Sequence, residues 1–168
     1  MRKTLDFLYN SAAALAALFM VGLLVMVLLS IVGRQIHLNV PGIDAYAGYL
    51  MAGCGFLALA HTLKRAEHIR VTLVMQSLGP AARRWLERWA VSVAALLALL
   101  FATYSVRLVM QSIEYNDIST GNDATPLWIP QLGMAIGAVI FAIAAIDEAV
   151  IEWKGRPLRT NLEAMRHE

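Results

Sequence analysis

The side chains best suited to chemistry in this chain, its histidines and its cysteine, are few and widely separated. Of four histidines, only His61 lies inside a long apolar stretch, whereas His37, His68 and His167 lie outside such stretches. A haem held between helices needs axial ligands at matching depths, so a haem site is left open only as an alternative, and His61 is predicted to pack at a helix end. Cys54 is the single cysteine, which excludes paired-thiol chemistry within the chain and predicts a buried filler.

Charged side chains, which would carry protons or ions through a bilayer, are missing from four long stretches of the sequence. The stretches contain 27, 19, 18 and 23 residues and lie between Asp6 and Arg34, Asp44 and Lys64, Arg88 and Arg107, and Asp123 and Asp147. A helix of roughly 20 residues spans a hydrocarbon core about 30 Å thick. Each stretch can therefore cross a membrane. Because charged groups inside a membrane mark proton relays and ion paths, a proton-coupled exporter is disfavoured.

The composition agrees with a membrane protein. Hydrophobic residues make up 59% and charged residues 15% of the 168 residues, which leaves too little polar surface for a soluble globule. The sequence therefore predicts an all-α membrane protein of one domain, residues 1–168, and gives no indication of nucleic-acid binding. Its four transmembrane helices are predicted at about residues 7–32, 45–63, 89–109 and 126–146.

Lysine and arginine are distributed unevenly among the connections. Twelve of the fourteen lie in the N-terminal tail, in the loop between the second and third spans, or in the C-terminal tail, whereas Arg34 and Arg107 lie in the other two connections. The positive-inside rule then predicts that both termini face the cytoplasm. The first apolar stretch is longer than the 7–15 residues or so of a signal peptide, so we expect it to remain as an anchor.

The loop between the second and third spans is predicted to lie on the membrane surface. Gly79-Pro80 is typical of a helix start. Three arginines follow it, together with Trp85 and Trp89, which lie one helical turn apart. Arginine can reach lipid phosphates while tryptophan rings lie at headgroup level. We therefore predict a short interfacial amphipathic helical segment over about residues 69–88. The residues predicted to contact the lipid interface are Arg83, Arg84, Trp85, Arg88, Trp89 and, at the fourth span, Trp128.

Small residues recur at helical spacing in the second and fourth spans. Gly48, Ala52 and Gly55 share one face of the second helix, and Gly133 and Gly137 form a G-x-x-x-G motif in the fourth. Such residues let helix backbones approach closely. They are candidate subunit-packing residues, and packing within the chain and packing against another subunit both remain open.

Two charged residues flank the connection between the first and second spans. Asp44 follows the turn-forming residues Pro41 and Gly42, so it is predicted in the first turn of the second helix, where a carboxylate complements the helix dipole. It could instead pair with Arg34 across the loop.

Several short segments together resemble a known family. They are Val32-Gly33-Arg34, the helix from Asp44 through Tyr49, the stretch Ala60-His61-Thr62-Leu63-Lys64-Arg65-Ala66-Glu67-His68-Ile69-Arg70-Val71, and the segment from Pro126 to Gly137. In order and spacing they resemble the small membrane subunit of tripartite ATP-independent periplasmic (TRAP) transporters. The similarity covers nearly the whole chain, and the stretch from Ala60 to Val71 is its strongest part.

The resemblance implies an accessory role in transport. In such systems a periplasmic protein captures an organic acid, usually a carboxylate, and delivers it to a sodium-driven membrane complex in the bacterial inner membrane. The large subunit carries the substrate and ion sites in a moving elevator domain, so this chain itself is expected to need no cofactor. The small subunit is expected to brace the large one, with rim contacts at the periplasmic side through Arg34 and Asp44 and at the cytoplasmic side through Arg65, Glu67 and His68.

Two other classes of function stay open at this point. One is a self-sufficient four-helix transporter or channel, and the other is a membrane anchor for a redox enzyme. An enzyme is not expected, because no catalytic constellation is evident in the sequence.

Overall fold

The computed structural model describes residues 2–37, 41–64, 79–121 and 123–155, and these residues fold into four helices. They are α1 (Arg2–Gln35), α2 (Ile43–Lys64), α3 (Pro80–Glu114) and α4 (Trp128–Trp153). All four are long and apolar enough to cross a membrane. The prediction of an all-helical protein with four such helices is therefore confirmed, whereas the side on which the termini lie stays a prediction.

The helices form a row in the order α1, α2, α4, α3. Helix α2 packs against α1 on one side and α4 on the other, and α3 packs mainly on α4. Since consecutive helices run in opposite directions, α2 and α4 are parallel neighbours. Helix α2 is thus an inner member of the row, and its faces determine how the halves of the bundle meet.

The core of the bundle consists largely of alanine. Along the contact between α3 and α4, Ala98, Ala102, Ala138, Ala142 and Ala145 are buried together. Small side chains allow the two helix backbones to come close, which is how helices associate where the surrounding lipid removes any hydrophobic difference between inside and outside. Larger apolar side chains accordingly point outward, toward the region that lipid or a partner would occupy.

Helix α3 includes part of the predicted interfacial segment. Residues 80–88 form the first turns of this 35-residue helix, while their position at the membrane surface stays a prediction. The helix is continuous because neither glycine nor proline follows Pro80 before Glu114, so nothing interrupts it. The rest of that segment, residues 69–78, lies outside the described residues.

A structured loop joins α3 to α4. Helix α3 ends at Glu114 and is capped by Tyr115. In the loop that follows, Asn116 and Ala124 adopt positive φ angles of 50° and 47°, and an isolated antiparallel bridge pairs Ile118 with Pro126. The main chain also closes on itself through Ser119 N–H donating to the Thr125 carbonyl at 2.8 Å. The loop is therefore held by hydrogen bonds between its own residues, in addition to its contacts with α2.

Candidate partner interface

On the face of α2 that points into the bundle, the backbones of α2 and α4 lie close together. A Cβ atom added to Gly137 of α4 would lie 2.5 Å from the carbonyl carbon of Phe56 and 2.8 Å from the backbone nitrogen of Leu57. A Cβ on Gly133 would lie 3.3 Å from the Cα of Gly53. The G-x-x-x-G motif therefore joins α4 to α2 within this chain, as a close approach of two backbones requires.

Gly53 makes a second close contact on the same inward face. A Cβ there would overlap the ring of Phe19 in α1, and the glycine is buried. Gly53 thus faces α1 and α4 at once, and it was not among the packing residues predicted from the sequence. Its position in the sequence could have indicated this, because it lies five residues from Gly48 and therefore about 140° away around the helix, on a different face.

The opposite face of α2 is open. A Cβ atom added to Gly48 or Gly55 would meet no heavy atom within 4 Å. Together with Ala52 these glycines form the floor of an apolar groove of about 430 Å³, which Met51, Phe56 and Leu59 complete. We refer to the surface made by Gly48, Met51, Ala52 and Gly55 as the α2 groove. No described helix of this chain covers it.

The five small residues singled out from the sequence are therefore divided by the structure. Gly133 and Gly137 lie at the contact between α4 and α2, whereas Gly48, Ala52 and Gly55 line the α2 groove. The groove has one aromatic border, because Phe56 stacks on Phe101 of α3 with ring centroids 5.6 Å apart. A partner helix could approach this floor closely, since only small side chains stand in its way.

One end of α2 is held by a hydrogen-bonded network with the α3–α4 loop. The Tyr49 hydroxyl lies 2.9 Å from Ser119 Oγ and 3.1 Å from Asp123 Oδ2, and the Ser119 hydroxyl donates to Asp123 Oδ1 at 2.8 Å. A hydrogen bond from Thr125, supported by those from Ser119 and Tyr49, lowers the pKa of Asp123 from its ordinary value of 3.8, against a smaller effect of desolvation. The carboxylate is therefore the acceptor that ties the loop to α2.

Glycine is required where this loop meets the start of α2. Gly42 has φ +80°, and a Cβ at that position would lie 2.7 Å from the Cβ of Asp123. Any other residue would be strained at this position, because of both the positive φ and the close approach. The network at Asp123 thus also fixes the turn that leads into α2.

The predicted rim residues are described only at this end. Helix α2 begins at Ile43, so Asp44 lies in its first turn as predicted. Arg34 Nη2 lies 4.0 Å from Asp44 Oδ2, and the Ser30 hydroxyl donates to Asp44 Oδ1 at 3.4 Å. Both charged side chains are about four-fifths exposed, so they stay accessible to a partner. Arg65, Glu67 and His68 lie outside the described residues.

The other end of α2 is fixed by an ion pair. Lys64 Nζ lies 2.9 Å from Asp6 Oδ1 of α1, and the ammonium group lies 5.8 Å from the centre of the Tyr9 ring. The Lys64 side chain is only about one-fifth exposed. Helix α2 is consequently anchored at both ends to other parts of the chain, while its groove faces outward.

The residues predicted at the lipid interface lie at both ends of the bundle. Trp128 begins α4, whereas the other five lie in the first ten residues of α3. Trp85 and Trp89 are more than half exposed, and Arg83 Nε lies 3.1 Å from Glu87 Oε1. Aromatic and basic residues at the ends of long apolar helices are typical of proteins that cross a membrane.

The side chains with redox or metal-binding chemistry are not brought together. Cys54 is buried beside Ala16 and Leu57, and His61 is half-buried with Nδ1 facing no hydrogen-bond partner among the described residues. In the part of the chain that the structure describes, no group of three histidine, cysteine or acidic residues could hold a metal ion.

Comparison with known proteins gives one family. A family model described as "Tripartite ATP-independent periplasmic transporters, DctQ component" matches residues 23–155. The match runs from the middle of α1 to just beyond the end of α4, so it includes the whole of α2 and the loop that holds it. No curated protein matches the chain.

Proposed function

This chain belongs to the DctQ component family of tripartite ATP-independent periplasmic transporters, and from that premise we propose that it braces the large membrane subunit of such a transporter. The family is a class of transporter component and not of enzyme, and four apolar helices make the chain a multi-pass membrane protein. The membership agrees with the resemblance seen in the sequence. We place the chain in the bacterial inner membrane, as one of three parts of an uptake system.

The observation that carries the proposal is the α2 groove. The inward face of α2 is closed by backbone contacts to α4 and by Phe19, while Gly48 and Gly55 on the other face have only open space before them. A helix that is anchored on both sides and at both ends, yet presents small residues outward, is suited to receive a helix of another subunit. The large membrane subunit is the occupant that we propose for the groove.

Such contact explains what an accessory subunit contributes to elevator transport. One part of the complex moves substrate across the membrane, so another part must stay fixed relative to the bilayer. A rigid four-helix unit held against the stationary part of the large subunit would widen its footprint and resist tilting. We propose further that the complex takes up an organic acid delivered by a periplasmic binding protein, with sodium coupling and the substrate site in the large subunit.

Replacing Gly48 and Gly55 by leucine tests the groove. The two leucines would fill the groove floor while leaving the inward contacts of α2 untouched, so the chain alone should fold normally. Recovery of the large subunit on affinity purification of this chain should fall at least about tenfold, which corresponds to about 1.4 kcal/mol of binding free energy. The control is Ala94→Leu, which places a leucine at an exposed position on α3 outside the groove.

The outcomes separate the alternatives. Full recovery of the large subunit with the double leucine variant, or an equal loss with Ala94→Leu, would show that the groove is not the docking surface. Substrate uptake by liposomes that contain this chain alone would contradict the accessory role itself and favour a self-sufficient transporter.

A further inference from the structure

A basic and aromatic cavity lies where the start of α3 meets the end of α4. Its volume is about 740 Å³, within the range of ligand sites in proteins. Its lining includes Arg84, Trp85, Arg88, Trp89, Ser92 and Trp153. We propose that this cavity binds the phosphate headgroup of an anionic phospholipid. The α2 groove has no part in it.

The cavity wall is fixed by a chain of contacts between the two helices. The Trp153 indole Nε1–H donates to Ser92 Oγ at 3.0 Å, and the Ser92 hydroxyl donates in turn to the Arg88 carbonyl at 2.7 Å. The Arg88 guanidinium lies over the Trp153 ring, 5.6 Å from its centre. Arg88 is therefore held by α4 in one orientation, which distinguishes it from a surface arginine that moves freely in solvent.

One N–H of this guanidinium lacks an acceptor. Arg88 Nε is buried and has no hydrogen-bond partner among the described residues. A buried donor without a partner is costly, and guanidinium binds carboxylate or phosphate oxygens through paired N–H groups. An anion in the cavity supplies oxygens to this side chain.

Two basic side chains, Arg84 and Arg88, line the cavity. Arg84 and Arg88 are one turn apart, so their like charges lie on the same face of the helix. Both are close to the N-terminus of α3, where the helix dipole already disfavours cations, and the first turn contains no acidic residue. Glu87 lies in the same turns but pairs with Arg83, with 3.1 Å between Nε and Oε1.

The shape of the surface selects a lipid over a soluble phosphate or a protein carboxylate. Trp85, Trp89, Leu96 and Leu100 recur at spacings of four and seven residues, so they continue along one face of α3 away from the cavity. All four are at least two-fifths exposed. A headgroup in the cavity would therefore place its acyl chains along an apolar stripe of the same helix, at the depth that tryptophan prefers.

Lipid binding by the purified full-length chain in detergent tests the site. Native mass spectrometry with phosphatidylglycerol, phosphatidylcholine and inorganic phosphate gives the three affinities. We expect phosphatidylglycerol to bind about tenfold more tightly than phosphatidylcholine, as befits a charge-assisted contact, and inorganic phosphate to leave the lipid adduct in place at equal concentration.

Two substitutions on the same helix turn localise the binding. Arg88→Gln should weaken phosphatidylglycerol binding about tenfold, while Arg83→Gln, which removes the same charge outside the cavity, should change it less than about twofold. If Arg88→Gln does not yield folded chain by circular dichroism, Trp153→Phe replaces it, since the phenyl ring keeps the apolar wall but loses the bond to Ser92. An affinity loss of about threefold is expected for that variant.

Several results would overturn the proposal. Equal affinity for the two lipids would remove the charge requirement, and equal losses with Arg83→Gln and Arg88→Gln would indicate diffuse attraction in place of a site. Displacement of the lipid by inorganic phosphate would assign the cavity to a soluble anion. Loss of the phosphatidylglycerol adduct when the large subunit is bound would assign it to a protein partner.

Discussion

The two faces of α2 carry the same kind of residue and have opposite environments. Gly53 faces inward, where the Phe19 ring leaves no room for a side chain, whereas Gly48 and Gly55 face outward into open space. A glycine in a membrane helix is therefore informative only together with its neighbours. The inward glycines hold this chain together, whereas a Cβ added to either outward glycine would meet no heavy atom within 4 Å.

The largest expected effect comes from one methyl group at the contact between α4 and α2. In Gly137→Ala the new Cβ would stand 2.5 Å from a backbone carbon of Phe56, so the helices must separate. We expect thermal unfolding of the chain in detergent to show a loss of about 1–3 kcal/mol, the usual cost of overpacking. The comparison between faces predicts no such loss for Gly48→Ala or Gly55→Ala, which should be stabilising by up to about 1 kcal/mol through helix propensity. Equal destabilisation at all three positions would contradict the division of the faces.

Gly53→Ala sharpens the comparison, because its obstacle is a side chain. The added Cβ would meet the Phe19 ring, and a ring can rotate where a backbone cannot. We therefore expect a smaller loss than for Gly137→Ala, about 1 kcal/mol. The double variant Gly53→Ala with Phe19→Leu should recover much of that loss, and the same unfolding measurement checks it. No recovery would indicate that α4, through Gly133, is the real obstacle.

The ion pair at the other end of α2 tests whether the stability of this chain can be changed without changing its binding of the large subunit. Asp6→Asn keeps the size of the side chain but removes the charge that lies 2.9 Å from Lys64 Nζ. Because both side chains are partly exposed, the unfolding free energy should fall by about 1 kcal/mol or less. Co-purification of the large subunit should be nearly unchanged, since the groove lies on another face. A large loss of the partner would mean that this end of α2 also takes part in docking.

Acid should loosen the loop that holds the start of α2. The pKa of Asp123 is lowered in the folded chain, so its stabilising contribution is complete above the ordinary value of 3.8 and is lost as the pH falls through the lower, folded-state pKa. Thermal unfolding measured from pH 6 downward should therefore show a steeper decline below about pH 4 in the wild type than in Asp123→Asn. Asp117→Asn removes a charge from the same loop and is the control. Identical acid profiles for Asp123→Asn and the wild type would exclude this carboxylate as the source.

Much of the helical architecture could be predicted from the sequence, because charges mark where apolar helices stop. The four charge-free stretches correspond to the four helices of the structure. The extent of α3 could not be read in this way. It continues past Arg107 to Glu114 and starts at Pro80, since helix ends depend on breakers and caps as well as on apolarity.

The assignment of faces required the structure. Glycine spacing predicted that Gly133 and Gly137 allow close packing, but spacing does not state against which helix. Helix α2 has small residues on several sides, and its inward side is chosen by Phe19 and by the backbone of α4. These contacts join residues that are distant in the sequence, so the pattern within one helix cannot predict them.

The smallest expected effect concerns the rim, where Arg34 and Asp44 form a loose pair. Their atoms are 4.0 Å apart and both side chains are about four-fifths exposed, so Arg34→Ala should change the unfolding free energy by less than about 0.5 kcal/mol. Because the two exposed charges contribute so little to folding, we propose that they contact a partner. Charge reversal at either position should therefore weaken capture of the substrate-loaded binding protein by the membrane complex, measured as a higher binding-protein concentration for half-maximal uptake. A variant that carries Asp at position 34 and Arg at position 44 keeps the ion pair but exchanges its charges. It therefore separates a role within the loop from contact with another protein. If the exchange restores uptake, the pair serves only the loop between α1 and α2, whereas continued impairment means that each charge meets its own counterpart on another protein.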